Sequence, residues 1–194
     1  GKSMVARIVA DTLGWDLVDT DAEVVRRTGK PIARIFEEDG EEQFRKLERF
    51  AMQDACASRR RVIAVGGGAI MDAANRKAAE QSGFVVCLEA HPETIYRRLS
   101  HQQNASTDPE VRPLLSGPNP LDRIRDLKAL RQSTYALAHW TVHTDSLSIQ
   151  EVAQEVVRAW RSFGPREDVF ESLFANHPDL AATVETSAGS CPLL

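Results

Sequence analysis

Four consecutive apolar residues, Val62-Ile63-Ala64-Val65, run straight into Gly66-Gly67-Gly68, and no other stretch of the chain limits its fold as strongly. A strand with one wet face alternates polar and apolar residues. A strand apolar at every position is covered on both faces, which suits a parallel sheet held between helices. Residues 84–88 repeat the pattern, and amphipathic stretches separate these strands, so the chain reads as α/β. Residues 4–13 form a helix pattern with Val5, Ile8, Val9 and Thr12 on one side, stopped by Gly14. Residues 15–18 read as a short strand leading into Asp19-Thr20-Asp21. A helix over about 22–28 follows, ended by Gly29 with Pro31 just beyond. Residues 32–38, 41–58, 72–81, 92–100 and 121–138 are further helices, the last with Leu121, Ile124, Leu127 and Leu130 in step. Residues 140–143 are a last strand and 149–160 a final amphipathic helix.

Residues 101–120 break this rhythm with four prolines and two asparagines. A loop of that length in a compact domain is usually a lid or disordered. Gly164-Pro165 marks a boundary, and 166–194 has little periodicity beyond a short helical stretch. A net charge of -4 and a pI near 5.8 argue against a dedicated nucleic-acid binder. Of the 24 basic residues, nineteen are Arg, the side chain suited to bidentate recognition of carboxylates and phosphates; Arg-rich genomic composition explains the bias equally well. Cys56, Cys87 and Cys191 lie far apart without metal-ligand spacing, which points to a reducing cytoplasm, with Cys87 a buried small residue. No apolar run approaches the roughly 20 residues that span a bilayer.

Gly1-Lys2-Ser3 followed directly by a helix matches the last third of a phosphate-binding loop. There, backbone amides at a helix N-terminus cradle phosphates, the Lys reaches the outer ones and the Ser hydroxyl binds Mg²⁺. The tripeptide alone is a poor signal. Asp19 and Asp21 stand at the C-terminal end of a strand, where open α/β sheets bind ligands, and residues two apart project to similar sides. One carboxylate could serve a metal and the other accept a hydroxyl proton. Thr20 or Asp21 would equally well cap the next helix. Arg45 and Glu48, three apart, fit a surface ion pair. The triple glycine forfeits backbone entropy and packs nothing, so close approach of a ligand to the backbone is its better explanation. Arg112-Pro113-Leu114-Leu115 suits a closing lid. Arg131, one turn before Tyr135, is accounted for by a helix C-terminal dipole.

In order and spacing, these features resemble shikimate kinase: the Gly-Lys-Ser remnant, DTD at 19–21, FRKLE at 44–48, GGGA at 66–69, RPLL at 112–115, and Arg131 with Tyr135. The resemblance runs over residues 1–162. It implies a three-layer α/β P-loop kinase fold with a parallel sheet and a lid, phosphorylating the shikimate 3-hydroxyl with Mg²⁺ and ATP. It assigns Gly1, Lys2, Ser3 and Arg112 to ATP, with Ser3 and Asp19 at the metal. It assigns Asp21, Arg45, Gly67, Gly68 and Arg131 to shikimate. Asp21 is the candidate base, needing no raised pKa, with Lys2 and Arg112 stabilising the transferring phosphoryl group. Shikimate and ATP are then the partners, with neither nucleic acid nor membrane.

Met4 departs from the family's second hydroxyl residue after the loop Ser, and the segment between Arg98 and Arg112 is long. Because the chain opens on Gly-Lys-Ser, the first, central strand of the sheet is expected to be missing, leaving a piece of low stability and weak ATP binding. Residues 163–194 read as a linker or tail. Its segment 182–194 resembles the opening of 3-dehydroquinate synthase, which implies a bifunctional fusion. A gluconate or nucleoside monophosphate kinase, and a non-catalytic module that senses shikimate, are the competing readings.

Overall fold

The computed structural model describes residues 1–105 and 119–164. Among the described residues, four strands and eight α-helices follow in the order α1 (Lys2–Leu13), β1 (Asp16–Asp19), α2 (Thr20–Thr28), α3 (Ile32–Glu38), α4 (Gly40–Cys56), β2 (Arg61–Ala64), α5 (Ala73–Ser82), β3 (Val86–Glu89), α6 (Pro92–Ala105), α7 (Pro120–Tyr135), β4 (Trp140–His143) and α8 (Ile149–Phe163). A 3₁₀ turn, Ala69–Met71, follows the glycines. Helix ends follow local chemistry. Gly14 and Gly29 close α1 and α2 at φ 67°, a left-handed conformation that glycine adopts without a Cβ penalty. A capping box between Ser148 and Glu151 opens α8.

β1 pairs with β2 and β3 with β4, both in parallel, as two separate sheets. Helical crossovers make parallel pairing possible, α2 to α4 between the first pair and α6 to α7 between the second. Both sheets line one cavity of about 2150 Å³, with Val62 and Ile63 of β2, Val86 and Cys87 of β3, and Val152 and Trp160 of α8 in its wall. The expectation of strands buried on both faces therefore needs correcting. β3 is half-buried throughout, and Cys87 is half-buried with it, because this cavity separates the pairs.

The main core joins Val5 and Val9 of α1, Val142 of β4, and Val152, Ala153 and Val157 of α8. A second cluster, Val24, Ile35, Phe44 and Ala51, ties α2, α3 and α4 together. In α7 only Ile124 of the expected stripe is buried. Leu130 is 70% exposed, so the in-step leucines do not form a continuous buried face. Arg112 and the RPLL segment, with the lid reading, lie outside the described residues, as does the tail from 165 onward.

Candidate active site

Parallel register sets Asp19 beside Ala64, so the chain leaves β1 and β2 at the same end. Asp19-Thr20-Asp21 and the triple glycine therefore emerge next to each other. Thr20 is fully buried between them; its Oγ1 donates to Ala64 O at 3.4 Å and accepts from Gly66 N at 3.2 Å. The expected cap of α2 is corrected here. Asp19, not Thr20 or Asp21, is the N-cap, its Oδ1 accepting from the amides of Asp21 and Ala22 at 3.1 and 3.2 Å. Its other oxygen, Oδ2, accepts from Ser3 Oγ at 2.6 Å. One carboxylate thus joins the first turns of α1 and α2, bringing the two expected metal residues together.

The three glycines face three different parts of the site. A Cβ built on Gly66 would lie 2.7 Å from Asp21 Oδ1 and 3.2 Å from Glu48 Oε1. One on Gly67 would meet Arg131 Nη1 at 3.5 Å and Tyr135 Oη at 3.8 Å. One on Gly68 would meet Arg45 Nη1 and Nη2 at 3.1 and 3.4 Å. The turn is thus a hub on which Asp21, Arg131 and Arg45 converge. Gly66, which has no place in the site as read from the sequence, is the one of these three that tolerates a side chain least.

Arg45 donates from Nη1 to Glu48 Oε2 at 2.8 Å and pairs with Glu41 through Nη2 at 3.1 Å. Glu48 is only 2% exposed, so this is no ordinary surface ion pair. Burial raises the Glu48 pKa, against the lowering effect of Arg45. Asp21 is also raised above its usual value, first by burial and then by the neighbouring charge of Asp19, while Lys2 and Arg45 pull it down. The role expected of Asp21 needs no such shift; the shift arises because β1 delivers the residue to a partly desolvated corner beside another carboxylate.

Arg131 reaches across to the turn rather than merely facing its helix end, donating from Nη1 to Gly67 O at 3.2 Å. Tyr135 donates to the same carbonyl at 2.8 Å. Behind the turn, Asn75 Nδ2 donates to Ala69 O at 3.0 Å, and Arg76 Nη1 to the carbonyls of Ile70 and Met71. Gly1 and Lys2 border the same cavity as the glycines, Arg131 and Tyr135. Thr20 and Glu48 lie inside the DTD and FRKLE motifs, but sequence reasoning gave neither a part in this assembly, and it missed Asn75 altogether. All three are buried polar side chains, and only the crossing of elements reveals what they hold.

Among the described residues, no cluster of three or more His, Cys, Asp or Glu could hold a metal. The paired oxygens of Ser3 and Asp19 do fit a hard cation of the Mg²⁺ kind, which takes one or two protein oxygens and fills its shell with water and phosphate. No helix among the described residues is long and apolar enough to cross a membrane.

The sequence model of one family, described as shikimate kinase, matches residues 1–161. A shikimate kinase of Symbiobacterium thermophilum is 42% identical over 167 residues, covering 86% of this chain and 93% of that protein. One from Thermus thermophilus is 41% identical, over 83% of this chain and 85% of its own. Among solved structures, shikimate kinase from Acinetobacter baumannii in complex with shikimate superposes with a TM-score of 0.75 at 36% identity, over 84% of this chain and 87% of that one.

Proposed function

The chain belongs to the shikimate kinase family, and from that membership and the geometry of the site we propose how it carries out ATP-dependent phosphorylation of shikimate. The acceptor is assigned as the 3-hydroxyl, giving shikimate 3-phosphate. The observation that carries the assignment is the convergence of Asp21, Arg45 and Arg131 on the triple-glycine turn.

Arg45 and Arg131 would hold the shikimate carboxylate, since guanidinium forks match it in geometry as well as charge. Gly67 and Gly68 let the ring approach the backbone. The 3-hydroxyl then faces Asp21, which accepts its hydrogen bond. As the hydroxyl oxygen bonds to phosphorus, the bond from phosphorus to the bridging oxygen of ATP breaks and ADP leaves. The hydroxyl proton passes to Asp21. Transfer of this kind rests on positioning and charge stabilisation, and a carboxylate of raised pKa is the stronger base once ionised.

Lys2 and the amides at the start of α1 contact the ATP phosphates, with Gly1 beside them. Mg²⁺, when bound, would be held by Ser3 and Asp19 and would offset negative charge on the phosphates. Arg112 is assigned to the phosphoryl group from outside the described residues. We place the enzyme in the cytoplasm, a reading supported by the free thiols of Cys56 and Cys87.

The test is ADP release, measured by a coupled assay, with shikimate, gluconate and nucleoside monophosphates offered in turn. Release that depends on shikimate is expected. Release with another acceptor only, or shikimate binding without turnover, would overturn the assignment. We further propose residues 1–162 as the kinase domain and 163–194 as a linker or the opening of a 3-dehydroquinate synthase unit. Removing the part of that segment beyond α8 and its cap, 165–194, should leave the kinase activity unchanged.

A further inference from the structure

We propose that Tyr135 is a positioning residue for acceptor binding: its hydroxyl holds the Gly67 carbonyl so that Arg131 can turn to the substrate. The inference rests on the reading of Arg131 as a ligand of the shikimate carboxylate. Gly67 O accepts from two side chains of one helix, Tyr135 Oη at 2.8 Å and Arg131 Nη1 at 3.2 Å. A carbonyl oxygen has two lone pairs, and here both donors come from α7, one turn apart.

The clamp matters because of where it falls in the turn: Gly66 O and Gly68 O accept from the backbone amides of Ala69 and Met71, whereas Gly67 O is held by the side chains of α7. Three glycines bring no side-chain packing and carry the largest conformational entropy in the unfolded chain. Polar side chains add to the backbone bonds: Thr20 at Gly66 N, Asn75 at Ala69 O, and the Tyr135–Arg131 pair between them. The two members of that pair are not equivalent. Arg131 is charged and is drawn to an anionic substrate, so its bond to Gly67 must weaken when the carboxylate arrives. Tyr135 is a neutral donor indifferent to that charge. With the phenol in place, Gly67 O keeps a partner throughout and the turn holds its shape. Without it, Arg131 is the remaining donor of the pair, and the carbonyl competes with the substrate for it.

Tyr135→Phe removes the hydroxyl and keeps the ring. It should raise the shikimate KM about fivefold, the worth of one neutral hydrogen bond, with kcat and the ATP KM within about twofold. In the protein without substrate, the Gly67 carbonyl ¹³C resonance should shift, and amide exchange at Gly66 and Gly68 should quicken. An unchanged shikimate KM would overturn the proposal, as would a parallel loss of kcat and both KM values with a lowered Tm, the mark of a merely structural residue. The carbonyl resonance is read without shikimate. A shift there, in a protein that wild-type calorimetry finds unable to bind shikimate, would put the failure in the function assignment and not in the clamp.

Discussion

At the residue scale the site is made of groups held at a cost. Asp21 is raised by burial and by Asp19, so it binds a proton more readily folded than unfolded. The stability linked to this group is intact below the ordinary aspartate value of 3.8 and is lost as the pH rises through the folded value. Asp21→Asn should therefore abolish turnover and yet raise Tm at pH 7, with a flatter dependence of Tm on pH across the acid range; melting curves check both. The glycines divide in the same way. Gly66→Ala pushes a methyl against Asp21 Oδ1, the far end of a short side chain that can move aside. It should cut kcat by more than tenfold while lowering stability only by about 1 kcal/mol, the ordinary cost of a tolerated substitution. Gly67→Ala, with its nearest contact at 3.5 Å, should spare kcat and act on the shikimate KM. Steady-state kinetics beside denaturant titrations distinguish the two.

At the scale of elements, one residue does two jobs where α1, β1 and α2 meet. Asp19 caps α2 with Oδ1 and reaches Ser3 with Oδ2. Asparagine caps a helix about as well as aspartate, so Asp19→Asn should change Tm by little. The same change removes the negative charge facing Ser3, and the Mg²⁺ concentration needed for half-maximal ATP turnover should rise about tenfold or more, the scale of loss when a residue that supports a bound metal is changed. A Mg²⁺ titration of activity against a melting curve separates cap from ligand. This double use is not legible in the sequence. Asp, Thr and Asp in a row all suit the position, and only the burial of Thr20 against Ala64 and Gly66 settles which of them is free to take it.

At the scale of the whole molecule, the two strand pairs stand on a shared cavity lined by β2, β3, α1 and α8. Its apolar wall and the separate pairing of β2 and β3 suit an extended apolar strand laid parallel to both. Fusing five or six such residues ahead of Gly1 should raise Tm and tighten ATP binding; an unchanged Tm in a scanning calorimeter would count against that fit. The sequence by itself determined the α/β alternation and the helix stops at Gly14 and Gly29, because periodicity and turn chemistry are local properties of the chain; that Asp21, Arg45, Arg131 and the glycines form one set was implied there only by the resemblance to shikimate kinase. It could not show that Glu48 is buried, that Leu130 is exposed, or that Gly66 rather than Gly67 lies closest to the Asp21 carboxylate. Burial, pKa and hydrogen-bond partnership depend on which elements cross. The convergence that began as Gly-Gly-Gly after a buried strand was decided only when β1, α4 and α7 brought their side chains to it.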